Sequence, residues 1–460
     1  MTAETVALAL GPWLFLQAAL IRLPEIRGSL RAVISASDEI ILVMLVGWVV
    51  LRAVRRPAPL IVPRALIPIV GFVIVGGISA VLNAVAPAQA LSGMLLGTKA
   101  AAWFFVFANL VIDVERLVRY YTFIGVLFFI TAAIGLAQWL GLDVPWVTHT
   151  RRTGEVAATS IWNQHTVFGS AMAIGVGLAV AAISLPRTRR QGFALLVATS
   201  IGVVISTVRR LHVALPVSAL IVIVALGQWR GALDRSRAVV RRVVADRRWL
   251  LAALGGIVLA AALIIPYGVR MGASLWDEYV VDAADRDRYE LYGGAATLLA
   301  RSPLVGRGPG TYGSWASIVF DSPAYAEAGV SLPDRLKTGA PYASLAAEFG
   351  LAGTLLFFAF IVMSFRTMIA IARSVPETVR GALATGVAFL IVDFAIESVV
   401  HIAFVDSFAA YFAFGTAGLV LASAPPERSA IQVVLRRQPD KVQQRRSDVD
   451  QLGGSLGRLD

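Results

Sequence analysis

Arg64-Ala-Leu-Ile-Pro-Ile-Val-Gly-Phe-Val-Ile-Val-Gly-Gly-Ile-Ser-Ala-Val-Leu-Asn83 carries no charge after its first residue. As an α-helix rising about 1.5 Å per residue, such a run reaches across the roughly 30 Å hydrocarbon layer of a bilayer. Similar runs lie near 5–22, 38–52, 91–112, 118–140, 161–184, 192–208, 211–228, 249–268, 351–373, 381–402 and 407–424. Runs of this length satisfy their backbone in lipid as helices, so the expected fold is all-α: a polytopic membrane protein with about twelve transmembrane helices. We read 1–424 as one membrane domain, with a large loop inserted at 269–338. The polar stretch 425–460 is expected to be a disordered tail, its Arg436-Arg437 and Arg445-Arg446 solvated.

Composition agrees. Of 460 residues, 57% are hydrophobic and only 15% charged, against about 25% charge in a soluble domain. Mean hydropathy is +0.74. The net charge of +12 would suggest nucleic acid on a soluble protein, but here the arginines cluster beside the spans, which speaks against a nucleic-acid partner. There is no cysteine, hence no disulfide and no thiolate chemistry. Lysine occurs only at 99, 337 and 441, a bias toward arginine that suggests a GC-rich bacterial coding sequence. The segment Met1 to Thr5 has no basic start, so the first run is expected to be a retained span.

Arginine-rich connections alternate with poorer ones. Arg52-Arg55-Arg56, Arg116-Arg119, Arg187-Arg189-Arg190, the stretch from Arg230 to Arg248, and Arg366-Arg373-Arg380 form one set. Asn83 to Ala90 has no charge and Val400 to Asp406 little. Arg22-Arg27-Arg31 and Arg151-Arg152 depart from the alternation without reversing it. The positive-inside rule then places both termini in the cytoplasm and the large loop outside, in a bacterial cytoplasmic membrane.

Under this topology His149, His165, His212 and His401 all fall at the outer face, where histidine can exchange protons near neutral pH. Asp393, Glu397 and His401 follow an i, i+4, i+8 spacing that places them on one helix face. Intramembrane carboxylates face a protein interior or water, and Lys99 is the expected counter-charge. They serve either as a site or as an ion pair locking helices. Arg209-Arg210 separate the seventh and eighth spans, and a guanidinium fork suits phosphate oxygens; helix-end snorkelling is the plainer alternative. The loop contains Arg288-Tyr-Glu-Leu-Tyr292 and Pro303-Leu-Val-Gly306-Arg307-Gly308-Pro-Gly310-Thr-Tyr312. Its glycines permit tight turns with exposed N–H groups that would cradle an anion. No Gly-Lys-Ser/Thr P-loop, HExxH or Gly-x-Ser-x-Gly elbow is present, and no metal or cofactor is expected.

These residues resemble the O-antigen ligase and O-antigen polymerase superfamily of envelope glycan enzymes, over roughly residues 150–375. The similarity rests on Arg288, Tyr292, Pro303, Gly306, Gly308, Gly310 and Tyr312 in gap-free spacing. It extends to Tyr342 with Glu348-Phe-Gly350-Leu-Ala-Gly353, and more loosely to Ser206-Thr-Val-Arg209-Arg210 and Trp162-Asn163-Gln-His165-Thr-Val-Phe168. Ligases of the family carry a histidine shortly before the Glu-x-Gly stretch; this chain has Gly339-Ala340. The resemblance implies a metal-independent glycosyltransferase at the outer membrane face. Its donor would be a polyprenyl-diphosphate-linked glycan and its acceptor a glycan or lipid, with membrane lipids around it. Arg288, Glu348, His165 and His401 are the implied catalytic residues, with the base open among the last three. Arg209, Arg210, Arg307, Gly306, Gly308, Gly310, Tyr312, Tyr342, Lys99, Asp393 and Glu397 are the candidate substrate contacts. The alternatives are a transporter or flippase using Lys99, Asp393 and Glu397 as a relay, and a non-enzymatic scaffold that would leave the loop arginines unused.

Overall fold

A computed structural model describes residues 2–21, 23, 26–55, 60–142, 150–152, 155–227, 286–330, 341–399, 407–422 and 430–433. Among these residues the fold is all-α apart from two short antiparallel ribbons. The helices are α1 (Ala3–Leu20), α2 (Gly28–Arg55), α3 (Ile67–Leu82), α4 (Pro87–Ala108), α5 (Val114–Trp139), α6 (His165–Ser184), α7 (Arg189–Ile205) and α8 (Arg209–Ala225). The large loop contributes α9 (Arg286–Arg301), α10 (Trp315–Val319) and α11 (Ala324–Glu327). Then follow α12 (Pro341–Ser374), α13 (Val379–Glu397) and α14 (Phe408–Ala422), the last interrupted by a π-helical turn at Tyr411–Gly415.

Among the described residues eight helices are long and apolar enough to cross a membrane, so this is a multi-pass architecture. Three other expected spans are shorter helices: α7 and α8 have 17 residues each, and α14 is shorter still. The expected span at 249–268 lies outside the described residues. Two helices start about ten residues before their expected runs: α12 at Pro341 instead of 351, and α2 at Gly28 instead of 38, which carries Asp38 and Glu39 into the helix instead of leaving them at its edge.

Aromatic packing holds the bundle. Phe15 meets Phe128 and Phe408 edge-on, each at 4.8 Å between ring centres. Phe72 of α3 stacks on Phe349 of α12 at 4.1 Å. α6 packs against α7 and α13, while α13 also packs against α8 and α12. That convergence places the start of α6, the start of α8 and the end of α13 together. Within the tail expected to be disordered, Ala430–Val433 instead pairs antiparallel with Leu60–Pro63. Leu60 pairs with Val433 and Val62 with Ile431, and three of these four are β-branched, which suits a strand. Asn109 secures the ribbon by bonding the N–H and carbonyl of Ile61, each at 2.9 Å.

Candidate functional site

The glycine-rich turn does not present its amides to an open site. α12 is broken at Gly350, whose φ of +63° and ψ of −168° lie outside the helical region. The break leaves helix-end carbonyls on one side and helix-start N–H groups on the other, all in need of partners. The segment 303–308 crosses the break and supplies them. Arg307 N–H donates to the Ala347 carbonyl at 2.8 Å and Gly308 N–H to the Glu348 carbonyl at 2.9 Å. Leu351 and Ala352 N–H donate back to the carbonyls of Pro303 and Leu304 at 2.8 and 3.1 Å. This close approach explains two of the glycines: a Cβ on Gly306 would lie 2.5 Å from the Glu348 carbonyl, and one on Gly350 2.5 Å from the Leu304 carbonyl.

The carboxylate of Glu348 fills the turn from within. It accepts Tyr312 N–H at 2.9 Å and the Ser314 hydroxyl at 3.1 Å, and the amides of Gly310 and Thr311 also bond to it. Glu348 is 3% exposed. The nest expected to take a substrate anion therefore holds the protein's own carboxyl group. Gln89 donates to the Gly310 carbonyl at 2.8 Å, and Asn83 and Ser79 donate to that of Gly306, so the turn is tied to the adjoining ends of α3 and α4. Tyr312 is wholly buried and donates its hydroxyl to the Leu291 carbonyl at 2.7 Å; burial pushes that hydroxyl above its ordinary range, keeping it a neutral donor. Arg307 pairs with Glu327 and also reaches Asn83.

A second polar group forms where α6, α8 and α13 meet. Arg210 donates from Nε to Glu397 Oε2 at 2.8 Å and from Nη2 to Ser170 Oγ at 2.8 Å. Ser170 in turn lies 3.4 Å from Glu397 Oε2. Glu397 is fully buried, whereas the Arg210 side chain keeps 15% exposure. Asp393, buried one turn earlier on α13, places a second carboxyl beside this single guanidinium. Arg209 sits next to Arg210 at the start of α8, and His165 opens α6. His212 Nδ1 lies 3.1 Å from the Val208 carbonyl.

The loop reaches the same region. Tyr342 donates to the Ala395 carbonyl at 2.6 Å, and Tyr292 of α9 donates to the Val399 carbonyl. Arg288 lies one helical turn before Tyr292; its side chain, His149, His401 and Gly339-Ala340 lie outside the described residues.

Lys99 is placed differently from the expectation. It pairs with Glu39 and lies 3.7 Å from Asp38 Oδ2, both on α2, while Gln17 of α1 donates to Asp38 Oδ1 at 2.8 Å. The counter-charge to Glu397 is Arg210. Sequence reasoning thus missed Ser170, Glu327, Asp38 and Glu39; two adjacent carboxylates at the mouth of an apolar run were the available signal for the last two. Among the described residues no three His, Asp or Glu side chains gather as metal ligands would.

No family model matches this chain, and no curated protein matches it.

Proposed function

We propose that this chain is a membrane glycosyltransferase of the O-antigen ligase or polymerase type, taking glycan from a polyprenyl-diphosphate-linked donor at the outer face of the bacterial cytoplasmic membrane. The observation that carries the reading is the clamped guanidinium of Arg210. Glu397 and Ser170 hold two of its nitrogens, and the side chain keeps an exposed edge beside Arg209. Glycosyl transfer from a diphosphate needs preorganised cations where negative charge develops on the leaving group. An arginine fixed by a buried carboxylate meets that need without reorganising. Arg288, a turn from the Tyr292 that bonds the end of α13, belongs to the same group in this reading.

The acceptor's proton needs a base. Glu348 leaves that role, because its carboxylate is enclosed by the turn it organises. His165 and His401 keep it. Arg307, Tyr312 and the three turn glycines become the frame that holds α9 against α12 and not substrate contacts. A transporter would need Lys99, Asp393 and Glu397 in one relay, whereas Lys99 engages α2 and Glu397 engages α8.

The test is reconstitution of the purified chain in lipid with a polyprenyl-diphosphate oligosaccharide. Longer lipid-linked chains identify a polymerase, and transfer to a second acceptor identifies a ligase. Movement of the donor across vesicles with no new glycosidic bond identifies a transporter.

A further inference from the structure

An apolar cavity of about 330 Å³ opens on the side of the bundle between α5, α7 and the start of α13. Its lining includes Val118, Gly125 and Phe129 of α5, Leu195 of α7, Leu383 of α13 and Leu185 beyond the end of α6. Gly386 lies against Gly177 and Ala181, and Leu390 against Gly177, so α13 runs antiparallel to α6 and its start meets the end of α6. Val126 and Phe129 line the cavity and are each 50% exposed, so it opens on the surface that α5 turns to lipid.

The hydroxyls in the lining are used within the protein. That of Tyr121 bonds Thr416 at 2.6 Å, Thr122 donates to the Val118 carbonyl at 2.9 Å and Thr188 to the Ala182 carbonyl at 2.8 Å. The surface left for an occupant is apolar, so it suits a hydrocarbon chain and would leave sugar hydroxyls unbonded. The volume, at the small end of ligand sites, suits one acyl chain and not a whole lipid.

The mouth carries the opposite chemistry. Arg119 follows the lining residue Val118, Arg187 precedes Thr188, Arg190 precedes Gln191 and Arg380 follows Val379. Arg119, Arg187 and Arg190 are exposed, whereas Arg380 donates from Nε to the Val420 carbonyl at 2.9 Å. Glu115 and Glu377 are the carboxylates nearest in sequence to the lining, so arginines predominate around this end among the described residues. The positive-inside bias accounts for arginines on this face but not for a tail-sized cavity beside them. Guanidinium groups bind phosphate oxygens by forked, charge-assisted hydrogen bonds, and basic pockets between helices at the cytoplasmic face suit anionic lipid headgroups.

We infer that this cavity seats one anionic phospholipid of the adjoining leaflet, the cytoplasmic one in the proposed topology. An acyl chain lies between α5, α7 and α13, and the phosphate meets Arg119 and Arg187. The seat is independent of the transferase reading: it needs no glycan and lies at the opposite end of α13 from Glu397.

The chain has no cysteine of its own, so Phe193→Cys, 52% exposed beside the lining residue Ala194, takes a single fluorophore. In phosphatidylcholine nanodiscs without any glycan donor, quenching by nitroxide-labelled phosphatidylglycerol is compared with quenching by equally labelled phosphatidylcholine. Each arginine near a lipid phosphate gives roughly a fivefold preference, so phosphatidylglycerol should be favoured about tenfold or more. Adding Arg119→Gln and Arg187→Gln should bring the two lipids close to parity, while Arg116, Arg189 and Arg190 remain to hold the orientation. Arg119→Gln alone serves if that variant folds poorly, and should weaken the preference roughly fivefold. Ala194→Trp, which fills the cavity and leaves every arginine in place, should also abolish the preference. Equal quenching by both lipids in the otherwise native chain overturns the seat, as does a preference that survives the paired arginine replacements or the tryptophan. Displacement of phosphatidylglycerol by an equimolar amount of polyprenyl phosphate overturns the phospholipid assignment, because the occupant would then be a carrier lipid.

Discussion

Tyr312 N–H donates to the Glu348 carboxylate at 2.9 Å, across 36 residues of chain. This bond turns a glycine-rich loop that looks built for a foreign anion into a clasp around the protein's own carboxyl group. Three turn amides and a serine hydroxyl converge on one buried carboxylate, while the backbone of the same loop splints the broken helix α12.

Glu348→Gln separates a structural from a catalytic role. Removing the acceptor from these buried hydrogen bonds costs about 1–3 kcal/mol. The variant should unfold at lower temperature, yet turn over normally per folded molecule. A general base would behave in the opposite way, losing roughly 10²–10⁴-fold in rate at unchanged stability. Thermal unfolding and specific activity measured on the same sample decide between them.

Gly350→Ala should destabilise the clasp. A side chain at φ of +63° is strained by roughly 1–3 kcal/mol, and here the new methyl also meets the Leu304 carbonyl at 2.5 Å. The expected result is a lowered unfolding temperature with early proteolysis between α9 and α12. Wild-type protease resistance would contradict the splint.

Lys99→Met should be costly because it strips the counter-charge from Asp38 and Glu39 inside the membrane domain; breaking a buried pair costs about 3–5 kcal/mol. Adding Asp38→Asn and Glu39→Gln should restore most of the stability, since the uncompensated charges are then gone. Expression level and unfolding temperature report this. A fully neutral triple variant that stays unstable, or a stable Lys99→Met, would remove the pairing account.

Orientation is open to a clean experiment, because the chain has no cysteine of its own. Leu304, 69% exposed beside the Gly350 break, and Glu377, exposed between α12 and α13, mark opposite ends of the part of α12 that follows the break. A membrane-impermeant maleimide should label Leu304→Cys in intact cells and Glu377→Cys only after lysis. The reverse pattern would invert the proposed topology.

How far the sequence could be read follows from which interactions are local. Apolar runs announce helices residue by residue, and the four-residue step from Asp393 to Glu397 announces a shared face. The partners of those groups are not local. Glu397 is answered by Arg210, 187 positions away, and Lys99 by Glu39, 60 positions away on a helix that starts earlier than its apolar run. The loop motif was legible as a tight turn with exposed N–H groups suited to an anion, but nothing near it indicates that they turn inward onto the Glu348 carboxyl. Arg209 and Arg210 were legible as a pair; only packing distinguishes the one clamped by Glu397 and Ser170.

The most direct test of the central claim is release of polyprenyl diphosphate from a lipid-linked oligosaccharide by the purified chain, compared with Arg210→Gln and Arg288→Ala. The account predicts release coupled to a new glycosidic bond for the wild type, and loss of at least a hundredfold, about 2.7 kcal/mol of barrier, in both folded variants. Wild-type release rates in Arg210→Gln, or no release by the wild type with any lipid-linked donor, would contradict it.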